Sequence, residues 1–243
     1  MAKTKVVISL SGGLDSTILT YTLVEQYGAE NVHALSFNYN QKHSIELEKA
    51  KTTCTKLGIL HKVIDITFLG DMLKDTSALI ADSEINTPTI TESLGEPQPV
   101  SYVSNRNLIL SSLCASYAES IEAKYIYLAF QQQDVYGYWD TTLEFVKRLN
   151  QVLQLNRKTS IEIKAPFAQM SKSDEIEIAL TLNVPFEDTF TCYSGINEHG
   201  ESCGTCLSCS DRIGNFAKLG IKDPIKYAVN IDWDDLFIKH KAN

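Results

Sequence analysis

Ser11-Gly12-Gly13-Leu14-Asp15-Ser16 follows directly on the apolar run Val6-Val7-Ile8-Ser9-Leu10. A short β-branched run, two glycines and then Leu14–Tyr27 predict a strand, a tight turn and a helix. At such a junction the first N–H groups of the helix lack intrahelical partners and face outward with the positive end of the dipole. Glycine lets the backbone come close to an anion, so the turn is suited to a phosphate. The stretch is not G-x-x-x-x-G-K-[ST], since no lysine stands in the turn, nor is it G-x-G-x-x-G. The plainer alternative is a strand-to-helix turn in which Ser11 or Asp15 caps the helix.

Working outward, 243 residues suffice for one large α/β domain or one domain with a small appendage. A net charge of −8 speaks against a broad nucleic-acid surface and for small substrates. The apolar run at the start is too short for a signal peptide, and no stretch reaches the length of a membrane span. A cytoplasmic location without a membrane partner is therefore expected. Six cysteines without secretory features point to a reducing compartment and to metal binding rather than disulfides.

Further strands are predicted at residues 31–37, 61–66, 125–130 and 161–165. Helices are predicted at 43–57, 105–120 and 143–155, and from a Ser171 cap through Leu182. This alternation predicts a Rossmann-like, doubly wound parallel sheet of five strands. Residues 67–101, with Pro88, Pro97 and Pro99, lack a regular pattern and read as a lid or site-forming loop. Ligands of such sheets sit beyond the carboxyl ends of the strands. Three polar clusters fall there, at residues 11–16, 38–43 and 131–140.

Cys192, Cys203, Cys206 and Cys209 form C-x10-C-x2-C-x2-C, a spacing that suits a tetrahedral Zn²⁺. Four protein ligands leave no open position, so such a zinc is structural. An iron–sulfur cluster is the rival reading, although no Cys-Pro follows the run. Cys54 and Cys114 stand on apolar helix faces and read as core.

The loop at residues 11–16 resembles the pyrophosphate loop of the N-type ATP pyrophosphatases. Together with the four cysteines it resembles the 7-cyano-7-deazaguanine synthase family, over residues 6 to 224. Further matches are Tyr39-x-Gln41-Lys42-His43, Arg106-Asn107, Ser171-Lys172, the set Asp134, Gly137, Tyr138 and Asp140, and Thr191-Cys192-Tyr193-Ser194-Gly195. The resemblance implies an ATP pyrophosphatase domain over residues 1–189, a zinc-binding region over 190–243, and a homodimer.

It also implies a ligase that joins ammonia to a deazapurine acid. ATP adenylates the carboxylate of 7-carboxy-7-deazaguanine, ammonia displaces AMP, and a second adenylation converts the amide to the nitrile. ATP would contact Leu10, Ser11, Gly12, Gly13, Leu14, Asp15, Ser16, Thr17, Ile18 and Leu19, with Asp15 reached through Mg²⁺. Asp15, Ser16, Lys172, Arg106 and His43 form the implied catalytic set. Lys172, Arg106 and Lys42 are the cations assigned to phosphate oxygens. The acceptor would meet Tyr39, Gln41, Lys42, Asn107, Asp134, Gly137, Tyr138 and Asp140. His43 reads either as a proton shuttle or as a surface partner of Glu46. Tyr136, Tyr138 and Trp139 suit stacking on a purine-like base or ordinary packing; Tyr138 is assigned to the pocket and Trp139 stays open.

Departures from the family pattern crowd into the acceptor region. They are Asn38-Tyr39-Asn40-Gln41, Ala129-Phe130 followed by three glutamines, and Trp139-Asp140-Thr141-Thr142. They leave open an enzyme that stops at the amide or takes another deazapurine. A nucleotide-binding regulator that has lost its chemistry is the alternative from another class. The thiolation of tRNA is disfavoured, because the C-x-x-C pairs all belong to the metal cluster and the charge is negative.

Overall fold

In β1 (Val6–Ser9), Val6, Val7 and Ile8 are all fully buried, as suits a strand covered on both faces. The computed structural model describes residues 4–81, 83–85, 99–131 and 137–241. β1 pairs in parallel with β2 (Val32–Asn38) on one side and with β4 (Tyr125–Tyr127) on the other. β3 (Leu60–Asp65) extends the sheet beyond β2, and β5 (Glu162–Lys164) extends it beyond β4. All pairs are parallel, giving a five-stranded sheet of order β3-β2-β1-β4-β5. The doubly wound fold expected from the sequence is the fold observed. Strand order reverses between β1 and β4, which places the ligand crevice beyond their carboxyl ends.

Alternate residues of β1 feed opposite layers, as a period of two requires. Val6 and Ile8 pack with α1 (Leu14–Tyr27), α2 (Ile45–Leu57) and α6 (Lys172–Thr181) through Ile18, Leu23, Ala50, Cys54 and Ile176. Val7 faces α3 (Thr67–Leu73), α4 (Arg106–Ser120) and α5 (Leu143–Leu153), meeting Leu69, Cys114, Ala118 and Phe145. Cys54 and Cys114 are core residues, and burial pushes each thiol up to about 12. α7 (Leu207–Lys218) and α8 (Trp233–Lys241) follow, and Phe216 of α7 joins the layer beneath α1.

Several boundaries differ from expectation for local reasons. α2 begins at Ile45, so His43 precedes the helix. β4 stops at Tyr127, although Leu128 still donates its N–H to Lys164 across 2.9 Å. Residues 67–73 form α3 within the stretch expected to be irregular. Asp65 Oδ1 accepts from the Thr67 N–H and hydroxyl at 2.9 Å each, starting the helix. Gly70 sits so near Tyr39 that a Cβ there would lie 2.3 Å from the Tyr39 carbonyl oxygen. Pro88 and Pro97 lie outside the described residues.

Candidate active site

The turn after β1 is shaped by close approach rather than by a side-chain cap. Gly13 is the N-cap of α1 and no side chain caps it, so neither Ser11 nor Asp15 plays that part. Gly12 has φ +86°, and a Cβ on it would lie 2.2 Å from the Glu46 carbonyl oxygen. The two serine hydroxyls brace the turn. Ser11 Oγ accepts from the Gly13 N–H at 3.2 Å, Ser16 Oγ donates to the Gly13 carbonyl at 3.2 Å, and the hydroxyls stand 3.0 Å apart. The start of α1 thereby opens on a cavity of about 300 Å³.

Ser11, Gly13, Leu14, Asp15 and Ser16 line this cavity from the β1 side. Tyr39, Gln41, Lys42 and His43 line it from beyond β2. Arg106, Asn107 and Tyr138 complete the far wall, and Lys172 enters from the start of α6. Other members of the expected set lie behind the surface. Thr17, Ile18 and Leu19 are fully buried in α1. Gly12 packs against α2, and Asp140 is a buried support whose Oδ2 accepts from the Asn107 N–H at 3.1 Å. Gly137 lies against Pro99, while Asp134 and Tyr136 lie outside the described residues.

Three cations, Lys42, Arg106 and Lys172, bring charge to the cavity. Lys172 follows Ser171, which caps α6 in a capping box with Asp174. Its Nζ lies 3.6 Å from Asp15 Oδ2 and 3.1 Å from Asp211 Oδ2. Asp15 Oδ1 is buried without a hydrogen-bond partner. Arg106 opens α4 and donates to the Tyr39 hydroxyl at 3.4 Å, with its guanidinium 5.9 Å from the centre of that ring. Tyr138 is held by a 2.6 Å hydrogen bond between its hydroxyl and that of Ser101. Trp139 is half exposed, donates to the Tyr102 hydroxyl at 2.8 Å and does not line the cavity.

His43 and Glu46 do not pair with each other. His43 Nε2 lies 2.8 Å from the Tyr193 carbonyl, and the ring stands edge-on to Phe190. Glu46 faces the cavity, where burial pushes its carboxyl up to about 7 against the pull of the Arg106 charge. Gln41 braces its own turn, accepting from the Tyr39 N–H at 3.0 Å and donating to the Phe37 carbonyl at 3.3 Å.

The sequence reading missed the contribution of residues 190–193 and of Ser208 to the cavity wall. Their signal in the sequence is indirect, since Cys192 stands out there only by its spacing from the other cysteines. The sulfurs of Cys192, Cys203, Cys206 and Cys209 all lie within 4.8 Å of one another. Zn–S bonds of about 2.3 Å in a tetrahedron place sulfurs under 4 Å apart, and Cys203 and Cys209 already stand 3.9 Å apart. Backbone amides of Thr205 and Cys206 point at Cys203 Sγ at 3.4 and 3.3 Å. Burial works against the Cys203 thiolate, yet these donors outweigh it and hold its pKa below the usual thiol range. The donor set therefore fits a thiolate-bound metal.

Residues 5–220 match the family described as queuosine biosynthesis protein QueC. The chain belongs to the QueC family. Among its relatives is a 7-cyano-7-deazaguanine synthase from Caldicellulosiruptor saccharolyticus, 39% identical over 232 residues, covering 95% of this chain and 98% of the relative. Another, from Archaeoglobus fulgidus and of the same name, is 40% identical over 222 residues, covering 91% of this chain and 89% of that one. The U34-tRNA thiolase NcsA from Methanococcus maripaludis, with its [4Fe-4S] cluster, has TM-score 0.51 at 16% identity, covering 100% of this chain and 73% of that chain. That likeness is one of fold alone. Membership of the QueC family makes this chain an enzyme of that kind. Among the described residues no helix is long and apolar enough to cross a membrane.

Proposed function

We propose that this enzyme converts 7-carboxy-7-deazaguanine and ammonia to 7-cyano-7-deazaguanine with cleavage of ATP to AMP and pyrophosphate. The observation that carries the reading is one cavity joining the loop at the start of α1 to a wall of Tyr39, Arg106 and Tyr138. The first part suits a triphosphate and the second a flat, anionic heterocycle. The relatives' name supplies the product, 7-cyano-7-deazaguanine.

The carboxylate oxygen of the acceptor attacks the α phosphorus in line, and the bond to pyrophosphate breaks. Amide donors at the start of α1 and the Lys172 ammonium receive the charge of the leaving group. Ammonia then attacks the acyl carbon; AMP leaves and a proton is lost, giving the amide. The amide oxygen attacks a second ATP in the same way, releasing pyrophosphate, and loss of AMP together with both nitrogen-bound protons yields the nitrile. Arg106, held by Tyr39, faces the carboxylate or phosphate oxygens, and His43, oriented by the Tyr193 carbonyl, stands ready to relay a proton. The orphaned Asp15 Oδ1 suits a Mg²⁺ ligand. When bound, that ion neutralises phosphate charge. The same reading places a structural zinc on the four cysteines, with residues 1–189 and 190–243 as two regions of a cytoplasmic homodimer.

The test is mass spectrometry of a reaction containing 7-carboxy-7-deazaguanine, ammonium, ATP and Mg²⁺, with AMP counted against product. A nitrile formed with about two AMP per product is expected, since each adenylation releases one. One AMP with a persistent amide identifies an amide-forming enzyme. No AMP removes the ATP reading altogether.

A further inference from the structure

Asp211 stands on α7, two residues beyond the last cysteine of the cluster, and no step of the proposed reaction uses it. Its Oδ2 lies 3.1 Å from Lys172 Nζ, nearer than Asp15 Oδ2 at 3.6 Å. The lysine is almost fully buried, so these two carboxylates matter to its ammonium more than bulk water does. Asp15 meanwhile keeps a buried Oδ1 without a hydrogen-bond partner, the atom that suits a cation. The two demands on Asp15 conflict. A carboxylate drawn fully onto an ammonium is a poorer ligand for Mg²⁺, because both cations compete for the same charge.

We propose that Asp211 is a positioning residue that holds the Lys172 ammonium away from Asp15, leaving the Asp15 carboxylate open to the magnesium of the bound nucleotide. This inference rests on the reading of the cavity as an ATP site. Asp211 is itself fixed, because Oδ1 accepts from the Asn215 side-chain amide at 3.0 Å. It has no place in the cavity wall, so it acts through Lys172 rather than on substrate. Asp211→Asn is a sharp probe. It keeps the size of the side chain and a carbonyl oxygen that can accept a hydrogen bond, but removes the negative charge that draws the ammonium away from Asp15.

The experiment titrates Mg²⁺ against binding of α,β-methylene-ATP by calorimetry, alongside Mg²⁺ dependence of AMP release, for wild type, Asp211→Asn and Asp211→Glu. Asp211→Asn is expected to need about tenfold more Mg²⁺ for half-maximal effect in both assays, as befits loss of a close charge contact. At saturating Mg²⁺ its kcat recovers most of the wild-type value. Asp211→Glu restores the wild-type Mg²⁺ requirement. In a Lys172→Met background Asp211→Asn changes nothing further, because the ammonium it steers is gone.

An unchanged or lowered Mg²⁺ requirement in Asp211→Asn overturns the inference while leaving the ATP reading intact. A wild-type protein that binds no nucleotide at any Mg²⁺ concentration sinks both. Metal content and melting temperature are measured for each variant. An Asp211→Asn protein that has lost its metal or its fold also overturns the proposal, since the change then acts through the cysteine cluster.

Discussion

Glu46 carries its carboxyl near neutrality because the cavity wall withholds water from it, and the Arg106 charge only partly offsets this. Its folded pKa of about 7 lies above the ordinary 4.5, so the folded state binds the proton more tightly than the unfolded one. Its contribution to stability is complete below about 4.5 and is lost as pH rises through about 7. Glu46→Gln should remove that component, so that melting temperature followed from pH 5 to 8 falls less than in wild type. A variant that tracks the wild type across this range shows that Glu46 ionises without resistance. Asp15 makes the complementary case. With Oδ1 unpartnered and Lys172 also held by Asp211, its carboxylate is spared for ligand binding rather than for the fold. Asp15→Ala is expected to lower AMP release by about 10²-fold or more with near-wild-type melting, the magnitude of losing one preorganised charge contact. Wild-type turnover in that variant with Mg²⁺ present reduces Asp15 to a local ion pair.

At the scale of elements, β1, its turn and α1 were legible because their reasons are local: a buried run, two glycines, then a helix starting without a side-chain cap. α3 was hidden because its seven residues include Gly70, whose justification is distant, namely the backbone of Tyr39. α7 was legible only as the place of cysteines, and its second duty was not. Cys206 is its N-cap and Cys209 lies in its first turns, while Ser208 Oγ donates to the Thr191 carbonyl at 2.7 Å and borders the cavity. The cysteine cluster thus sits at the start of the helix that carries Ser208 to the candidate active site. One zinc per chain by elemental analysis is expected. Stripping it with a chelator, or Cys206→Ser, should cost about 3 kcal/mol or more in stability and abolish nucleotide binding together. Iron in the analysis, or full nucleotide binding without metal, rules out that role for zinc.

Across the whole molecule, the segment after the sheet is joined to the rest by apolar packing of Phe216 and by one buried arginine, Arg212. Arg212 stands three residues beyond Cys209, but its partners come from residues 186 to 223, beyond the reach of periodicity or spacing. Its side chain is fully buried and all five guanidinium donors are used. Nε and Nη2 hold Asp223 at 2.5 and 3.0 Å, Nη1 reaches the hydroxyls of Thr189 and Thr191 at 2.6 and 3.0 Å, and Nη2 also reaches the Phe186 carbonyl at 3.2 Å. The Tyr227 hydroxyl donates to the same Asp223 at 2.7 Å. Arg212 therefore clamps the strand of chain that ends in Cys192 to the turn that follows α7. Arg212→Leu leaves Asp223 buried without its counter-charge and should destabilise the fold by about 3–5 kcal/mol in denaturant unfolding. Arg212→Lys should recover little, because one ammonium cannot reproduce a five-donor fork. Pairing Arg212→Leu with Asp223→Leu should recover a large part, since the orphaned charge goes with it. A single Arg212→Leu protein within about 1 kcal/mol of wild type, the range of an exposed pair, shows that the clamp does not hold these segments together.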